Sequence, residues 1–252
     1  MFDVAIIGAG LAGLTCAQQL HQAGYRVVVI DKSRGVGGRM ATRRLHDTCA
    51  DHGVRYLEPK GTLLPQLIER LVQRNILQVW TNTIYELKCD RTESITQGSA
   101  STSHLTPHSS PLTCYAAPAG MTAVAKFLAT GLEIWRNRRV KAIIPTAEQT
   151  WYLSFDSSEE IANELTAKAV VTAIPATQAL TLLEPLAQTN LPAEFLNNLR
   201  SVQFDPCLSV MAGYSVKAIE EFPLACKVSN HSELAWISLD SSKRPDAQIP
   251  IV

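Results

Sequence analysis

The sequence predicts an α/β fold of two lobes: one grows from a parallel βαβ unit and is interrupted in the chain, and the other carries a mixed β-sheet. Three observations carry this reading. A buried strand, a glycine-rich turn, a helix and a second buried strand follow one another within about the first 30 residues. A continuous apolar strand returns at residues 168–174, after a stretch of mixed helices and strands. Two later segments, 207–214 and 234–239, alternate with period two, as strands with two different faces do.

Element by element, residues 2–7 are a short β-branched run suited to a strand buried on both faces. Leu11, Leu14, Ala17 and Leu20 then recur at helical spacing, and Gly24 stops the helix before a second buried strand at 25–30. A second amphipathic helix carries Leu64, Leu67, Ile68, Leu71 and Val72 on one stripe. Residues 92–113 hold 11 Ser or Thr in 22 positions and read as a loop or insertion without chemistry. A helix is expected at 120–128, with Val124, Phe127 and Leu128 inward and Gly131 ending it. Strands at 133–135, 140–144 and 151–155 are expected to run antiparallel, and a helix follows at 177–183. Residues 1–60 and about 115–180 are assigned to the first lobe, about 61–91 and 181–252 to the second, and 92–114 to the insertion.

The composition excludes several functions. Among 252 residues, 23 Lys and Arg balance 23 Asp and Glu, so bulk electrostatics gives no reason to expect a nucleic acid or an anionic membrane as partner. The longest nearly uncharged apolar stretch, 4–17, has 14 residues, too few for a membrane span, and lacks the basic lead of a signal peptide. Six cysteines without a CxxC pair fit buried, reduced thiols in a cytoplasmic protein, and no metal-ligand spacing appears.

The strongest motif is Gly8-x-Gly10-x-x-Gly13 between strand and helix. Gly8 permits the tight turn, Gly10 lets backbone approach a pyrophosphate, and Gly13 lets helix and strand pack closely. The helix start at Leu11 and Ala12 offers free N–H groups to an anion. Asp31, 18 residues after Gly13, ends the second strand, where an acidic side chain accepts hydrogen bonds from ribose hydroxyls and disfavours a 2′-phosphate. Directly afterwards Lys32 leads into Arg34-Gly35-Val36-Gly37-Gly38-Arg39-Met40, a second glycine-rich turn. Its Arg39 can pair with a phosphate or cover a bulky planar ligand.

The pairing of Gly8-Ala9-Gly10-Leu11-Ala12-Gly13 with Gly37-Gly38-Arg39 resembles the amine-oxidase-type FAD-dependent oxidoreductases, above all their renalase-like members. Asp51-His52-Gly53-Val54-Arg55-Tyr56, Pro118-Ala119-Gly120-Met121, Asp205-Pro206-Cys207-Leu208-Ser209-Val210-Met211 and the segment from Ala235 to Lys243 support the likeness. It implies a Rossmann-type FAD-binding lobe in a glutathione-reductase/amine-oxidase-like two-lobe fold. FAD would lie extended, with its adenosine near Asp31 and its pyrophosphate at Gly10 to Gly13 and Arg39. Asn137-x-x-Val140-x-x-Ile143 resembles the strand whose Val backbone touches adenine, and Asp31 stands where the family more often has Glu. The family closes its flavin site with a C-terminal Gly-Asp segment and helix. The expectation here is a fold without that segment, since the sequence stops at Pro250-Ile251-Val252.

The resemblance implies hydride transfer to flavin from an amine-like or dihydronicotinamide-like small molecule, with dioxygen as acceptor. The cofactor carries that chemistry, so no nucleophile or triad is required, and none stands out. Tyr214 and Trp236 are candidates to line the ring-facing pocket; aromatic residues on alternating strands also serve as core. His52 and His231 read as structural, and the basic run 136–141 as a solvated hairpin edge. A non-catalytic or truncated FAD- or nucleotide-binding protein on the same scaffold is the alternative.

Overall fold

The computed structural model describes residues 1–45, 48–89, 105–107, 113–156, 164–188, 191–219 and 222–252. In chain order its elements are β1 (Phe2–Ile7), α1 (Leu11–Gln22), β2 (Val27–Ile30), β3 (Thr42–Leu45), β4 (Thr48–Asp51), α2 (Leu63–Gln73), β5 (Gln78–Thr81), β6 (Tyr85–Lys88), β7 (Leu105–Pro107), β8 (Cys114–Ala116) and α3 (Thr122–Leu128). There follow β9 (Glu133–Trp135), β10 (Arg139–Pro145), β11 (Trp151–Asp156), β12 (Glu164–Thr172), α4 (Ala176–Leu183), α5 (Ala193–Arg200), β13 (Ala225–Ser229) and β14 (Trp236–Ser238). Among the described residues, no helix is long and apolar enough to cross a membrane.

The chain divides into two compact units, residues 1–40 with 125–208, and residues 41–124 with 209–252. These bounds differ from the lobes expected at 60, 115 and 180. β3 and β4 pair antiparallel and bond to Met121, Thr122 and Asp240, all of the second unit, while α4 and α5 pack with the first unit's sheet.

The first unit is built on a six-stranded sheet in the order β10-β11-β12-β1-β2-β9. β12, β1, β2 and β9 are mutually parallel, with Val4 beside Val27 and Ile7 beside Ile30 and Thr172. Parallel strands need both faces covered, which is why β2 is Val-Val-Val-Ile and wholly buried. One face packs Ile7, Val28, Ile30, Val140, Leu153 and Phe155 against Ala179 and Leu182 of α4. Each such aliphatic side chain contributes about 1.5–3 kcal/mol when fully buried. The parallel strands all end on one side, so Gly8, Asp31 and Ala173 gather at their carboxyl ends. There the ladder closes through Gly8 N–H to Ile30 C=O (2.8 Å) and Ala173 N–H to Ile7 C=O (2.8 Å). α1 ends as expected at Gly24 (φ +89°), with Tyr25 N–H donating to Leu20 C=O and Gly24 N–H to His21 C=O.

The second unit holds a four-stranded sheet, β14-β13-β6-β7, and two pairs, β3-β4 and β5-β8. α2 buries Ile68 and Leu71.

Several expectations are corrected. β9 runs parallel beside β2, not antiparallel with β10, because a three-residue apolar strand carries no signal of its partner. Residues 207–214 form no strand; Leu208 is 94% and Val210 85% exposed, and only Gly213 makes an isolated bridge to Ile251. Within 92–113, most of which lies outside the described residues, 105–107 is strand β7, paired with β6. Val72 leaves the apolar stripe of α2 for solvent, and Phe127 is half-buried. The second strand starts at Val27, because Arg26 turns its N–H to the Asp3 carboxylate and its C=O to Asp3 and Val4 N–H. None of the six cysteines is paired, but only Cys114 and Cys226 are buried; Cys207 is exposed and the others are half-buried.

Candidate functional site

The carboxyl end of the parallel strands brings the two glycine turns together. Gly37 N–H donates to Ala9 C=O at 2.8 Å, and Gly10 and Gly37 form a parallel bridge. Met40 N–H then bonds Gly37 C=O (2.9 Å), closing a short turn that buries the Met40 side chain. Two glycines here have geometric reasons. A Cβ on Gly13 would stand 1.9 Å from Gly8 C=O, so only glycine lets α1 start so close to β1. A Cβ on Gly10 would meet nothing within 4 Å. Packing among the described residues therefore does not demand glycine at position 10, and the surface over its Cα is open.

α1 begins at this opening. Its first main-chain bond runs from Leu14 N–H to Gly10 C=O (3.0 Å), so the N–H groups of Leu11, Ala12 and Gly13 precede the helix's own ladder. They and the positive end of the helix dipole suit a phosphate. Gly38 flanks Gly10, since its Cβ would lie 3.3 Å from the Gly10 Cα. Arg39 is exposed and has no hydrogen-bond or ion-pair partner among the described residues. Lys32 lies slightly apart and donates to the Gln178 amide oxygen at 3.0 Å.

Asp31 organises the site as well as lining it. One carboxylate oxygen accepts Ala9 N–H and the other Ser33 N–H, both at 2.7 Å. Each oxygen has a further lone pair, so the group remains able to accept a ribose hydroxyl. A feature the sequence reading missed holds the far side. Asn137, in the left-handed region at φ +56°, donates its N–H to Ser33 C=O (3.1 Å), and Arg138 N–H bonds Asp31 C=O (2.9 Å). Asn tolerates that conformation better than most residues, which was the only available signal. These bonds bring the start of β10, and Val140 with it, beside Asp31; the Val140 side chain itself is in the core.

An open backbone over Gly10, a spare-capacity carboxylate, and helix N–H groups and an arginine that have no partner among the described residues fit a dinucleotide's pyrophosphate and ribose. The groove lined by Lys141, Ile143, Thr181, Leu182 and Pro185, about 230 Å³, lies on the β10–α4 side and contains none of these residues.

The second unit holds the remaining candidates. Trp236 is half-buried on β14, its ring 5.7 Å from that of Tyr56 and its face under the Arg55 guanidinium at 4.7 Å. Burial pushes the Tyr56 hydroxyl up to about 12. Tyr214 is 47% exposed and its N–H donates to Pro250 C=O at 3.0 Å, so it is a surface residue and not a core strand residue. His231 Nδ1 accepts the N–H groups of Glu233 (3.1 Å) and Leu234 (2.9 Å), a turn-holding role, and the exposed His52 uses its C=O for Ser209 Oγ (3.0 Å).

A buried ionic network, not foreseen from the sequence, ties this unit together. The Asp51 side chain is fully buried and accepts Thr42 Oγ1 (2.7 Å), Met121 N–H (2.9 Å), Arg244 (3.2 Å) and Lys243 Nζ (3.3 Å). Asp240 bonds Lys243 Nζ and Arg244 at 2.6 Å each, and Arg244 Nε reaches Cys49 Sγ at 3.1 Å. Burial alone would lower the Arg244 pKa, but the Asp240 and Asp51 carboxylates outweigh it and raise the value.

Comparison with known proteins bears on both units. A model described as an NAD(P)-binding Rossmann-like domain matches residues 6–71, and one described as flavin containing amine oxidoreductase matches residues 100–247. An L-amino-acid oxidase of Crotalus adamanteus is 40% identical over 67 residues, which is 27% of this chain and 13% of that protein. The flavin-containing monoamine oxidase candidate AofH of Mycobacterium tuberculosis is 40% identical over 57 residues, 23% of this chain and 13% of its own length. The matched regions thus span about an eighth of these curated relatives. Among solved structures, a redesigned putrescine oxidase superposes with a TM-score of 0.70 at 14% identity, covering 99% of this chain and 74% of that one. A candidate protoporphyrinogen oxidase from Exiguobacterium gives 0.65 at 13%, covering 99% and 76%. At such identities the likeness shows the fold: a Rossmann-type nucleotide-binding unit with a mixed-sheet second unit.

Proposed function

The chain belongs to the flavin containing amine oxidoreductase family, whose model matches more than half of it, and from that premise we propose that it works as an FAD-dependent oxidoreductase. FAD is the cofactor. The observation that carries the binding reading is the open face of Gly10, bounded by Gly38 and the start of α1.

In this reading the Leu11, Ala12 and Gly13 N–H groups and Arg39 hold the pyrophosphate, Asp31 accepts the adenosine ribose hydroxyls, and Val140 borders the adenine. Lys32 adds positive charge at the rim. Gly37 and Met40 shape the turn that presents Arg39. FAD held there would supply hydride acceptance from the substrate, with dioxygen as the terminal electron acceptor. This chain's own residues bind and orient; none is assigned as acid, base or nucleophile.

The substrate in this proposal is an amine-like or dihydronicotinamide-like small molecule, as in renalase-like members of the family. Trp236, its ring tilted against that of Tyr56, remains the aromatic candidate for a substrate wall, and the exposed Tyr214 is the weaker one. A cytoplasmic location is part of the same reading, supported by six unpaired thiols.

The test is peroxide release by the FAD-loaded chain offered a panel of primary and secondary amines and of dihydronicotinamides. Turnover of one class assigns the substrate. A chain that binds and photoreduces FAD yet oxidises neither class is a non-catalytic flavin-binding protein.

A further inference from the structure

Because β9 pairs with β2, the basic turn that follows β9 lands beside Asp31 and is not the hairpin edge its sequence suggests. Asn137 N–H bonds Ser33 C=O (3.1 Å) and Arg138 N–H bonds Asp31 C=O (2.9 Å), so residues 31–34 and 136–139 lie side by side within the first unit. These two segments hold five Lys or Arg residues and one carboxylate, in a chain whose net charge is zero. Positive charge is concentrated at this one edge of the cradle.

The five cations are not equally free. Arg138 rests its guanidinium over the Trp135 and Phe155 rings, at 5.1 and 5.7 Å. Arg139 stands opposite Asp156 in the β10–β11 register, which offsets its charge. Lys32 donates to the Gln178 amide, a neutral partner, and keeps its full charge. Arg34 and Arg136 are exposed and have no hydrogen bond or ion pair among the described residues. Two acids stand close by in the chain: Asp31, whose carboxylate accepts two main-chain N–H groups at 2.7 Å, and Glu133, which accepts Trp135 Nε1 at 3.1 Å. Five cations against the carboxylates of Asp31, Glu133 and Asp156 leave the rim net positive.

Exposed arginines of this kind contribute little once an anion is seated, because water screens them and their long side chains lose freedom on contact. Their effect comes earlier. A rim of one sign raises the association rate of an oppositely charged ligand by about 10–10³, over a range set by a Debye length of about 10 Å at 0.1 M salt. The ligand that suits it is small, since the neutral chain disfavours a polyanion such as a nucleic acid. The FAD pyrophosphate is a dianion.

We propose that Arg34 and Arg136, with Lys32, form an electrostatic capture rim that draws the pyrophosphate of FAD toward the cradle, and that the two arginines have no share in holding it afterwards. The proposal rests on the reading of the cradle as an FAD site. Stopped-flow mixing of FAD with the flavin-free chain, followed by quenching of flavin fluorescence, separates association from dissociation. Wild-type association should slow by about tenfold or more between about 0.02 and 0.5 M salt. The double variant Arg34→Gln/Arg136→Gln should associate about three- to tenfold more slowly at low salt and at the wild-type rate at high salt, with its dissociation rate and thermal midpoint unchanged. Arg34→Lys/Arg136→Lys, which keeps the charge and changes the shape, should associate like the wild type. Arg39→Ala, a contact residue, should act mainly on dissociation. Wild-type association that ignores salt, a Gln double variant that associates as fast as the wild type at low salt, or a loss confined to dissociation would each overturn the capture rim and leave the cradle standing. A wild type that binds no FAD would overturn both.

Discussion

Gly37 donates its main-chain N–H to the Ala9 carbonyl at 2.8 Å, so two glycine turns nearly thirty residues apart in the chain form one cradle. The cradle is tied in turn to Asp31, which accepts Ala9 N–H. A substitution in either turn is therefore felt by both, unless it points into the opening.

Gly10 and Gly13 separate these cases. Gly10→Ala meets no atom of the described residues within 4 Å, and alanine at this helix start costs about 1 kcal/mol. Its thermal midpoint should move by only a few degrees, while FAD affinity falls by about tenfold or more because the methyl group stands where backbone meets the pyrophosphate. Gly13→Ala drives a methyl into Gly8 C=O and should destabilise the fold by about 1–3 kcal/mol or more, as thermal unfolding without FAD will show.

Arg39→Ala removes an exposed cation that has no ion-pair partner among the described residues. Stability should be unchanged within about 0.5 kcal/mol. FAD retention should weaken by about 1.5–3 kcal/mol, the size of a charge-assisted hydrogen bond, and the loss should shrink at high salt. Unchanged affinity in a titration would put Arg39 outside the site.

Asp51→Ala leaves Lys243 and Arg244 buried with one carboxylate between them. Breaking a buried pair in this way costs about 3–5 kcal/mol, so urea unfolding should shift strongly. Because the network lies within the second unit, isolated loss of FAD affinity without loss of stability would contradict its structural role.

The thiols should report burial and pH together. Cys207 should react first with a thiol reagent, while Cys114 and Cys226 should wait for unfolding. Burial pushes both buried thiols up to about 11 from about 9. The native state then binds more protons than the unfolded chain between those values, so stability falls as pH rises from about 9 to about 11. Flat stability across that window would contradict the burial of these two groups.

What could be read from the sequence was local in the chain. The strand, glycine turn and helix at 2–22 follow from neighbouring residues, and so do the position of Asp31 at the end of β2 and the glycine turn that carries the exposed Arg39. The partner of β9 could not be read, because Glu133–Trp135 states its burial and not its neighbour. The Asp51–Lys243 ion pair joins residues 192 apart, and neither looks unusual where it stands. Residues 207–214 show the converse failure: they alternate correctly for a strand, but a strand needs a partner, and among the described residues only Ala212, Gly213 and Tyr214 have one.

The central claim is that this chain holds FAD on the cradle joined by Ala9 and Gly37. Titrating FAD into the purified protein, followed by the visible spectrum and the quenching of flavin fluorescence, tests it most directly. The account predicts saturable binding of one FAD per chain, weakened by Gly10→Ala at unchanged fold. A colourless protein that gains no bound-flavin spectrum as FAD is added would contradict it.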